Sequence, residues 1–433
     1  MGIKNYIFAS NRGPDFVSNG LSHFAAGGTQ DVYRLICKEL AKKWVCIAPD
    51  KYESDEVISD CSELDVLFVD NDTYFGYYYR FVSEYLYPNI LGSKGLYSAA
   101  SAIKEFDDVS KAVAKKIDNH NGVILCDYHL YKVPKYMRNS NKSHFFWFLP
   151  FLNPPKDHPV YNDIVKGLVK VDTLWFLHED YKNNFVDFAG TIFGYNNLPA
   201  VETLTLGPSA FFSENRNISI EDFKKLILKE FKIQHDADCS YLITVARLDF
   251  VKKIPLLLKA MSIIEKEHML NIKLMILAPH HRKNSRFYQQ EEAKIQKHLD
   301  ELERSDQVFL SHKLLSREEL VVLYKFADLF ILPSTNDAMP LTPLEYVLAN
   351  KGNGAVVVSD SAGTSKILPD STYIFKHDNP LSLARKIMDA LLATEQGKSD
   401  WMAKNKHMVS GITSNSWINQ IITALEPCHE RIS

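Results

Sequence analysis

The chain has no apolar run long enough to cross a bilayer. A helical span needs about 18 or more apolar residues; the longest conspicuous run, Phe145–Leu152, has eight and is flanked by His144 and Asn153. Cysteine is sparse, six in 433 residues, scattered and without a CxxC pair. That excludes a disulfide-stapled scaffold and a cysteine-type zinc site, and fits a reducing compartment. Met1–Tyr6 carries no apolar h-region, and Tyr6 stands where a myristoylation site needs Ser or Thr. A cytoplasmic location away from membranes is expected. Nor is there an excess of positive charge: 50 Lys+Arg stand against 53 Asp+Glu, a net charge of −3. A nucleic-acid footprint is therefore missing, although a local basic pocket is not excluded. GxSxG, HExxH and the phosphate-binding P-loop are all absent.

What remains is an ordinary globular composition, 46% hydrophobic and 24% charged. At roughly 150 residues per domain, the length suggests two or three domains. Short apolar runs alternate with longer amphipathic stretches throughout. Strands are expected at 6–9, 44–48, 66–69, 122–126, 143–149 and 173–176, and again at 241–245, 272–277, 308–310, 329–332 and 355–359. Helical patterns such as 31–42, 98–116, 254–267, 287–302, 317–325 and 380–392 lie between them. Alternation of this kind specifies an α/β fold with parallel sheets, and there are too many strands for one sheet. The best boundary follows Pro208, where a charged helical stretch precedes a fresh strand. Three segments result: residues 1–212 and 213–398, two Rossmann-like domains facing across a cleft, and a helical segment, 399–433, with Trp401 and Trp417 as apolar anchors to pack back on the first domain.

Several strands end in loops with chemistry-bearing residues, which is where parallel sheets place ligands. Gly27-Gly28 opens a helix, as a phosphate-approaching turn or a plain loop-to-helix turn would. Arg247 and Lys252 lie in one strand-to-helix loop and could both hold a diphosphate. In Asp127-Tyr-His-Leu130 the aspartate and histidine could meet sugar hydroxyls or pair with each other. Asp337 and Glu345 frame a proline-containing loop and the helix after it, where Glu345 could accept bonds from a ribose. His280-His281-Arg282 follows another strand, but adjacent histidines point differently and rarely share a metal. Asp70-Asn-Asp72 has the DxD form of a metal-binding triplet, yet such triplets are common turns.

Taken in order, these motifs resemble those of the trehalose-6-phosphate synthase family of retaining glycosyltransferases. Ser10-Asn-Arg12 is similar to the family's opening SNR, Gly27-Gly28 to its GG, and Tyr77-Tyr78 with Leu86-Tyr87-Pro88 to its YYNGFSN and LWP elements. Asp127-Tyr-His-Leu130 resembles HDYHL, and Phe145–Phe151 resembles FFLHIPF. Arg247–Lys252 is similar to RLDYxKG, Ala278–Arg282 to APTSR, Asp337–Tyr346 to DGMNLVAKEY, and Ser361-Ala-Gly363 to FAG. The resemblance implies a GT-B fold and transfer from a nucleotide sugar, often UDP-glucose, to glucose 6-phosphate. It implies neither a cofactor nor an obligatory metal, and it leaves a homo-oligomer open. Arg247, Lys252 and Asp127 would act at the reacting centre. Gly28, Asp337, Met339, Leu341, Thr342 and Glu345 would bind the donor. Arg12, Tyr78, Tyr87 and Arg282 would bind the phosphorylated acceptor.

The departures concentrate on sugar recognition. The histidine of FLHIPF falls on Phe148, a tryptophan expected after Trp44 falls on Ile47, the tryptophan of LWP on Tyr87, and the asparagine of DGMN on Pro340. The phosphate-binding residues are kept. Besides plain trehalose-6-phosphate synthesis, this pattern admits a relative with a changed donor or acceptor, pseudo-glycosyl coupling to an amine included, or a catalytically silent sugar-phosphate-binding regulator.

Overall fold

The computed structural model describes residues 5–13, 16–18, 21–23, 29–50, 56–57, 63–98, 100, 102–118, 122–138, 142–214, 216–280, 285–368 and 373–425. Its strands, in chain order, are β1 (Tyr6–Ser10), β2 (Phe16–Ser18), β3 (Leu21–His23), β4 (Ala41–Pro49), β5 (Glu56–Val57), β6 (Glu63–Val69), β7 (Val123–Cys126), β8 (Ser143–Trp147), β9 (Thr173–Phe176) and β10 (Ala200–Thr203), then β11 (Ser240–Val245), β12 (Ile272–Leu277), β13 (Val308–Ser311), β14 (Leu329–Leu332), β15 (Ala355–Ser359) and β16 (Ile374–Phe375). The chain divides into two compact units, Met1–Leu206 with Asn415–Ser433, and Gly207–Ser414. The sequence had set its divisions at 212/213 and 398/399.

The first unit is built on a seven-stranded sheet of order β10-β9-β8-β7-β1-β4-β6, parallel throughout. Its central strands read as continuous apolar runs because helices cover both faces of such a sheet. β1, β7 and β8 are buried along their whole lengths. Helix Ile103–Ile117 turns Phe106, Val109, Val113, Ala114 and Ile117 inward at helical spacing. Burying one such large side chain contributes about 1.5–3 kcal/mol. The short strands β2, β3 and β5 form a small antiparallel sheet of their own. Cys37, Cys46 and Cys126 are buried thiols; burial pushes Cys46 up to about 12 and raises Cys126 as well.

The second unit carries a six-stranded parallel sheet, β13-β12-β11-β14-β15-β16. Two of its helices start with reciprocal capping boxes, Ser219/Asp222 and Ser316/Glu319. Gly207 sits against Ile412, whose carbonyl oxygen occupies the place a Cβ would take. Beside it the Ser414 N–H donates to the Pro208 carbonyl at 2.9 Å. Trp401 packs on Tyr373 in this unit, whereas Trp417 packs on Phe146 and Phe148 in the first.

The two units therefore have the paired Rossmann-like architecture expected for GT-B. In each sheet the strand order reverses once, between β1 and β7 in the first unit and between β11 and β14 in the second. Crevices at such reversals, outside the carboxyl ends of the strands, are where open α/β sheets hold ligands. Asp70 serves as a helix cap, its carboxylate accepting from the Thr73 N–H at 3.0 Å.

Candidate functional site

The reversal in the first unit places the residues after β1 beside those after β7. Ser10 ends β1, and its hydroxyl donates to the Arg12 carbonyl at 2.6 Å and accepts from the Trp44 indole N–H at 2.8 Å. These bonds fold the chain sharply, so that Asn11 and Arg12 leave the sheet edge in a fixed direction. Residues Phe75–Leu86 are wound as a π-helix, with the Tyr87 N–H reaching back to Val82 O. Such helices are rare and cluster at functional sites. The consecutive Tyr77 and Tyr78 use it to meet the consecutive Asn11 and Arg12. The Tyr77 hydroxyl donates to Asn11 Oδ1 at 2.7 Å, and the half-buried Arg12 guanidinium donates to the Tyr78 hydroxyl at 3.0 Å.

Asp127 follows β7 with φ 73° and ψ 159°, a backbone conformation almost reserved for glycine. Its amide donates to Phe146 O at 2.9 Å, its Oδ1 accepts from the Tyr128 N–H at 2.9 Å, and its Oδ2 lies 3.6 Å from His129 Nδ1. The His129 ring stacks on Tyr78 with an interplanar angle of 11°, and Tyr128 stacks on Tyr87. Burial is the main cause of a strongly raised Tyr33 phenol, Asp127 adding to it and Arg12 opposing it. Both charged groups thus act on one buried tyrosine. Arg12, Tyr78, Tyr87 and Asp127 are brought together in this unit; Gly28 lies outside the described residues. Phe148 belongs to the same neighbourhood, 8% exposed and set between Tyr33 and Trp417. Ile47 is buried in β4.

In the second unit the reversal joins the loop after β11 to the loop after β14. Arg247 is half-buried just beyond β11. Lys252 sits in a short turn capped by Asp249, whose carboxylate accepts from the Val251 N–H at 3.3 Å. The Lys252 ammonium pairs with the Asp337 carboxylate. Left-handed Lys253 (φ 51°) and Asn336 (φ 52°) adjoin the pair, one on each loop. The loops are tied by Thr335 N–H to Val251 O at 2.9 Å, and the Asp337 carbonyl accepts from Gly363 N–H at 2.8 Å.

Ala338 and Met339 lie buried in the loop that leads into helix Thr342–Ala349. Thr342 spends its hydroxyl on Val245 O at 3.0 Å, which locks the helix start to the end of β11. Leu341 precedes it at the N-cap. Glu345 lies one turn inside the helix, where its carboxylate, after burial, helps raise the Tyr324 phenol. Arg247, Lys252, Asp337, Met339, Leu341, Thr342 and Glu345 thus occupy the carboxyl edge of one sheet or the helix that starts there. Arg282 lies outside the described residues. Asn11 and Trp44 were missed as partners in the sequence, because nothing local marks a contact such as Tyr77–Asn11 across 66 positions, whereas the approach of His129 to Asp127 was open to it.

The comparisons with known proteins agree along nearly the whole chain. The model of glycosyltransferase family 20 matches residues 27–427. The UDP-forming α,α-trehalose-phosphate synthase of Schizosaccharomyces pombe is 24% identical, over 98% of this chain and 90% of its own. Among solved structures, the UDP-forming α,α-trehalose-phosphate synthase of Burkholderia xenovorans in complex with glucose-6-phosphate superposes with a TM-score of 0.81 at 17% identity, covering 98% of this chain and 100% of that one. The N-terminal domain of Candida albicans trehalose-6-phosphate phosphatase gives 0.82 at 16% identity, covering 98% and 97%. With two parallel-sheet units of GT-B architecture, the chain belongs to glycosyltransferase family 20.

Proposed function

We propose that the chain is a retaining glycosyltransferase moving a sugar from a nucleotide sugar to a sugar phosphate, with UDP-glucose and glucose 6-phosphate as the reference pair. The observation that carries this reading is Lys252 at the β11/β14 reversal, joined by a carboxylate and lying in the same loop as Arg247. When the bond from the sugar C1 to the donor diphosphate breaks, negative charge gathers on the leaving phosphate, and these two cations are where that charge would be met. A bond then forms from C1 to the acceptor hydroxyl oxygen on the same face, and the hydroxyl proton passes to the leaving phosphate. No protein nucleophile and no metal are needed for that balance.

In this reading Asp337, Met339, Leu341 and Thr342, with Gly28, hold the donor sugar and phosphates, and Glu345 the ribose. Arg12, Tyr78, Tyr87 and Arg282 hold the phosphorylated acceptor, and Asp127 faces its hydroxyls. The partners are small molecules in the cytoplasm, with neither nucleic acid nor membrane. Among the described residues no helix is long and apolar enough to cross a bilayer.

A second reading changes the donor or acceptor. It is favoured by Phe148, an aromatic wedge between Tyr33 and Trp417 that offers a sugar no hydrogen bond, and by Pro340, which has no N–H to give. One assay separates the readings. The full chain is incubated with UDP-, GDP- and ADP-sugars, with and without glucose 6-phosphate, and both nucleoside diphosphate and the anomeric configuration of the product are measured. Acceptor-dependent turnover should appear and fall about 100- to 1,000-fold in Arg247→Ala or Lys252→Ala. Turnover surviving both substitutions would overturn the diphosphate assignment. Binding of glucose 6-phosphate without any turnover would identify a regulator instead.

A further inference from the structure

One cluster lies outside the residues assigned above. Among the described residues, His280, Glu292 and His312 form the single group of three or more such side chains placed to hold a metal ion, with ligand atoms all within 4.8 Å of one another. The topology explains the convergence. β12 and β13 are adjacent and parallel, Leu277 pairing with Ser311, so the chain leaves both strands at the same edge of the sheet. His280 and His312 follow those two exits, and their rings stack at 4.3 Å and 13°. Glu292 comes from the exposed side of helix Arg286–Asp300, one turn beyond Tyr288.

Hydrogen bonds hold all three side chains of the cluster in place. His312 Nδ1 lies 2.8 Å from the Ala278 carbonyl oxygen. A carbonyl only accepts, so Nδ1 carries the proton and Nε2 keeps its lone pair. The Tyr288 hydroxyl bonds both His280 Nδ1 and, at 3.3 Å, Glu292 Oε1. The phenol thus holds the His280 ring and the Glu292 carboxylate side by side. Metal-binding histidines are oriented in this way, the second ring N–H donated to a carbonyl or another fixed acceptor.

We propose that the His280 and His312 imidazoles and the Glu292 carboxylate form a site for a divalent transition-metal ion of the zinc class. Two imidazoles and one carboxylate suit such an ion and leave a coordination position for water. Ligands about 2.0–2.1 Å from a tetrahedral zinc stand about 3.3 Å apart, so the side chains close inward on binding. The exposed Glu292 and the half-buried rings have room to do so. The ion would clamp the exits of β12 and β13 to the helix that begins at Arg286. Its role is to fix this edge of the second unit; the transfer chemistry does not pass through it, and the site stands or falls independently of the donor and acceptor.

The test uses the metal-free full chain titrated with Zn²⁺ by calorimetry and with Co²⁺ by visible absorption. One ion should bind per chain, with ligand-field bands of a low-coordinate nitrogen–oxygen site and a raised melting temperature. His280→Ala, His312→Ala and Glu292→Gln should each weaken binding at least about tenfold and remove the thermal shift. His377→Ala, which breaks an exposed histidine–carboxylate pair elsewhere, should leave binding unchanged. Equal melting temperatures without metal show that the variants fold, and the exposed Glu292→Gln carries the test if a histidine variant does not. No saturable binding below about 1 mM Zn²⁺, or binding that survives the three substitutions, would overturn the site.

Discussion

The Arg12 guanidinium donates to the Tyr78 hydroxyl at 3.0 Å, a bond between the turn after β1 and a π-helix 66 positions later. The tyrosine fixes where the guanidinium points, and a phosphate arriving there would meet a cation already in place. Arg12→Ala should raise KM for glucose 6-phosphate about 10- to 150-fold, the equivalent of one charge-assisted hydrogen bond of about 1.5–3 kcal/mol. Tyr78→Phe should cost less, because the charge remains. Steady-state kinetics with glucose as the comparison acceptor provides the check. An equal loss for glucose and its phosphate would show that Arg12 does not read the phosphate.

Asp127 holds a backbone conformation that costs a non-glycine residue about 1–3 kcal/mol. Two substitutions separate the strain from the carboxylate. Asp127→Gly and Asp127→Ala should both lose turnover, yet the glycine variant should be the more stable by about 1 kcal/mol in urea unfolding. The reverse order would mean that the conformation is not strained.

His144 sits in β8 with its pKa lowered to about 4, chiefly by burial; Asp172 favours the charged form and Lys142 opposes it. The unfolded chain takes up this proton near the ordinary value of 6.5, before the folded chain does. Stability is therefore complete above pH 6.5 and falls as pH drops toward 4, by about 3 kcal/mol from this group. Denaturant midpoints across that window should flatten in His144→Phe, whose ring can still meet Tyr6 edge-on as His144 does. A parallel slope in the variant would assign the acid lability to other groups.

Gly207→Ala should be among the most destabilising single substitutions in the second unit. Its Cβ would overlap the Ile412 carbonyl oxygen, so one backbone segment would have to move. A loss of several kcal/mol, about 3 or more, is expected. Gly397→Ala is a fair comparison: that glycine is exposed, and its Cβ would meet only the Thr394 hydroxyl, at 3.2 Å. Its effect should stay within about 0.5 kcal/mol. Similar melting temperatures for the two would disprove the close approach.

Much of the architecture could be read from residue order because buried parallel strands announce themselves as unbroken apolar runs, as Val123–Cys126 and Ala355–Ser359 do. Ala200–Thr203 and Ile374–Phe375 did not, being edge strands of which one alternates and the other has only two residues. The antiparallel trio β2, β3 and β5 was too short to register. Helix Ile103–Ile117 starts later than its pattern suggested, after Ala102. A π-helix over Phe75–Leu86 leaves no signature in apolar spacing that an α-helix lacks. The motif residues were legible singly, whereas Trp44 on Ser10, Tyr77 on Asn11 and His312 beside His280 depend on which strands become neighbours. That information lies in the sheet order rather than in any local stretch.

The buried thiols give the molecule a pair of internal clocks. A thiolate reagent needs a deprotonated, reachable sulfur, and Cys46 and Cys126 in the first unit, like Cys239 in the second with its thiol near 11, offer neither while folded. With Cys37, Cys61 and Cys428 replaced, modification can proceed only when the region around a remaining thiol opens, at a rate set by the cost of that opening. Cys46 and Cys126 would time the sheet that carries Arg12 and Asp127, and Cys239 the entry to the sheet that carries Arg247. The resistance of each half to opening could then be followed separately in one intact chain, with donor or acceptor added in turn.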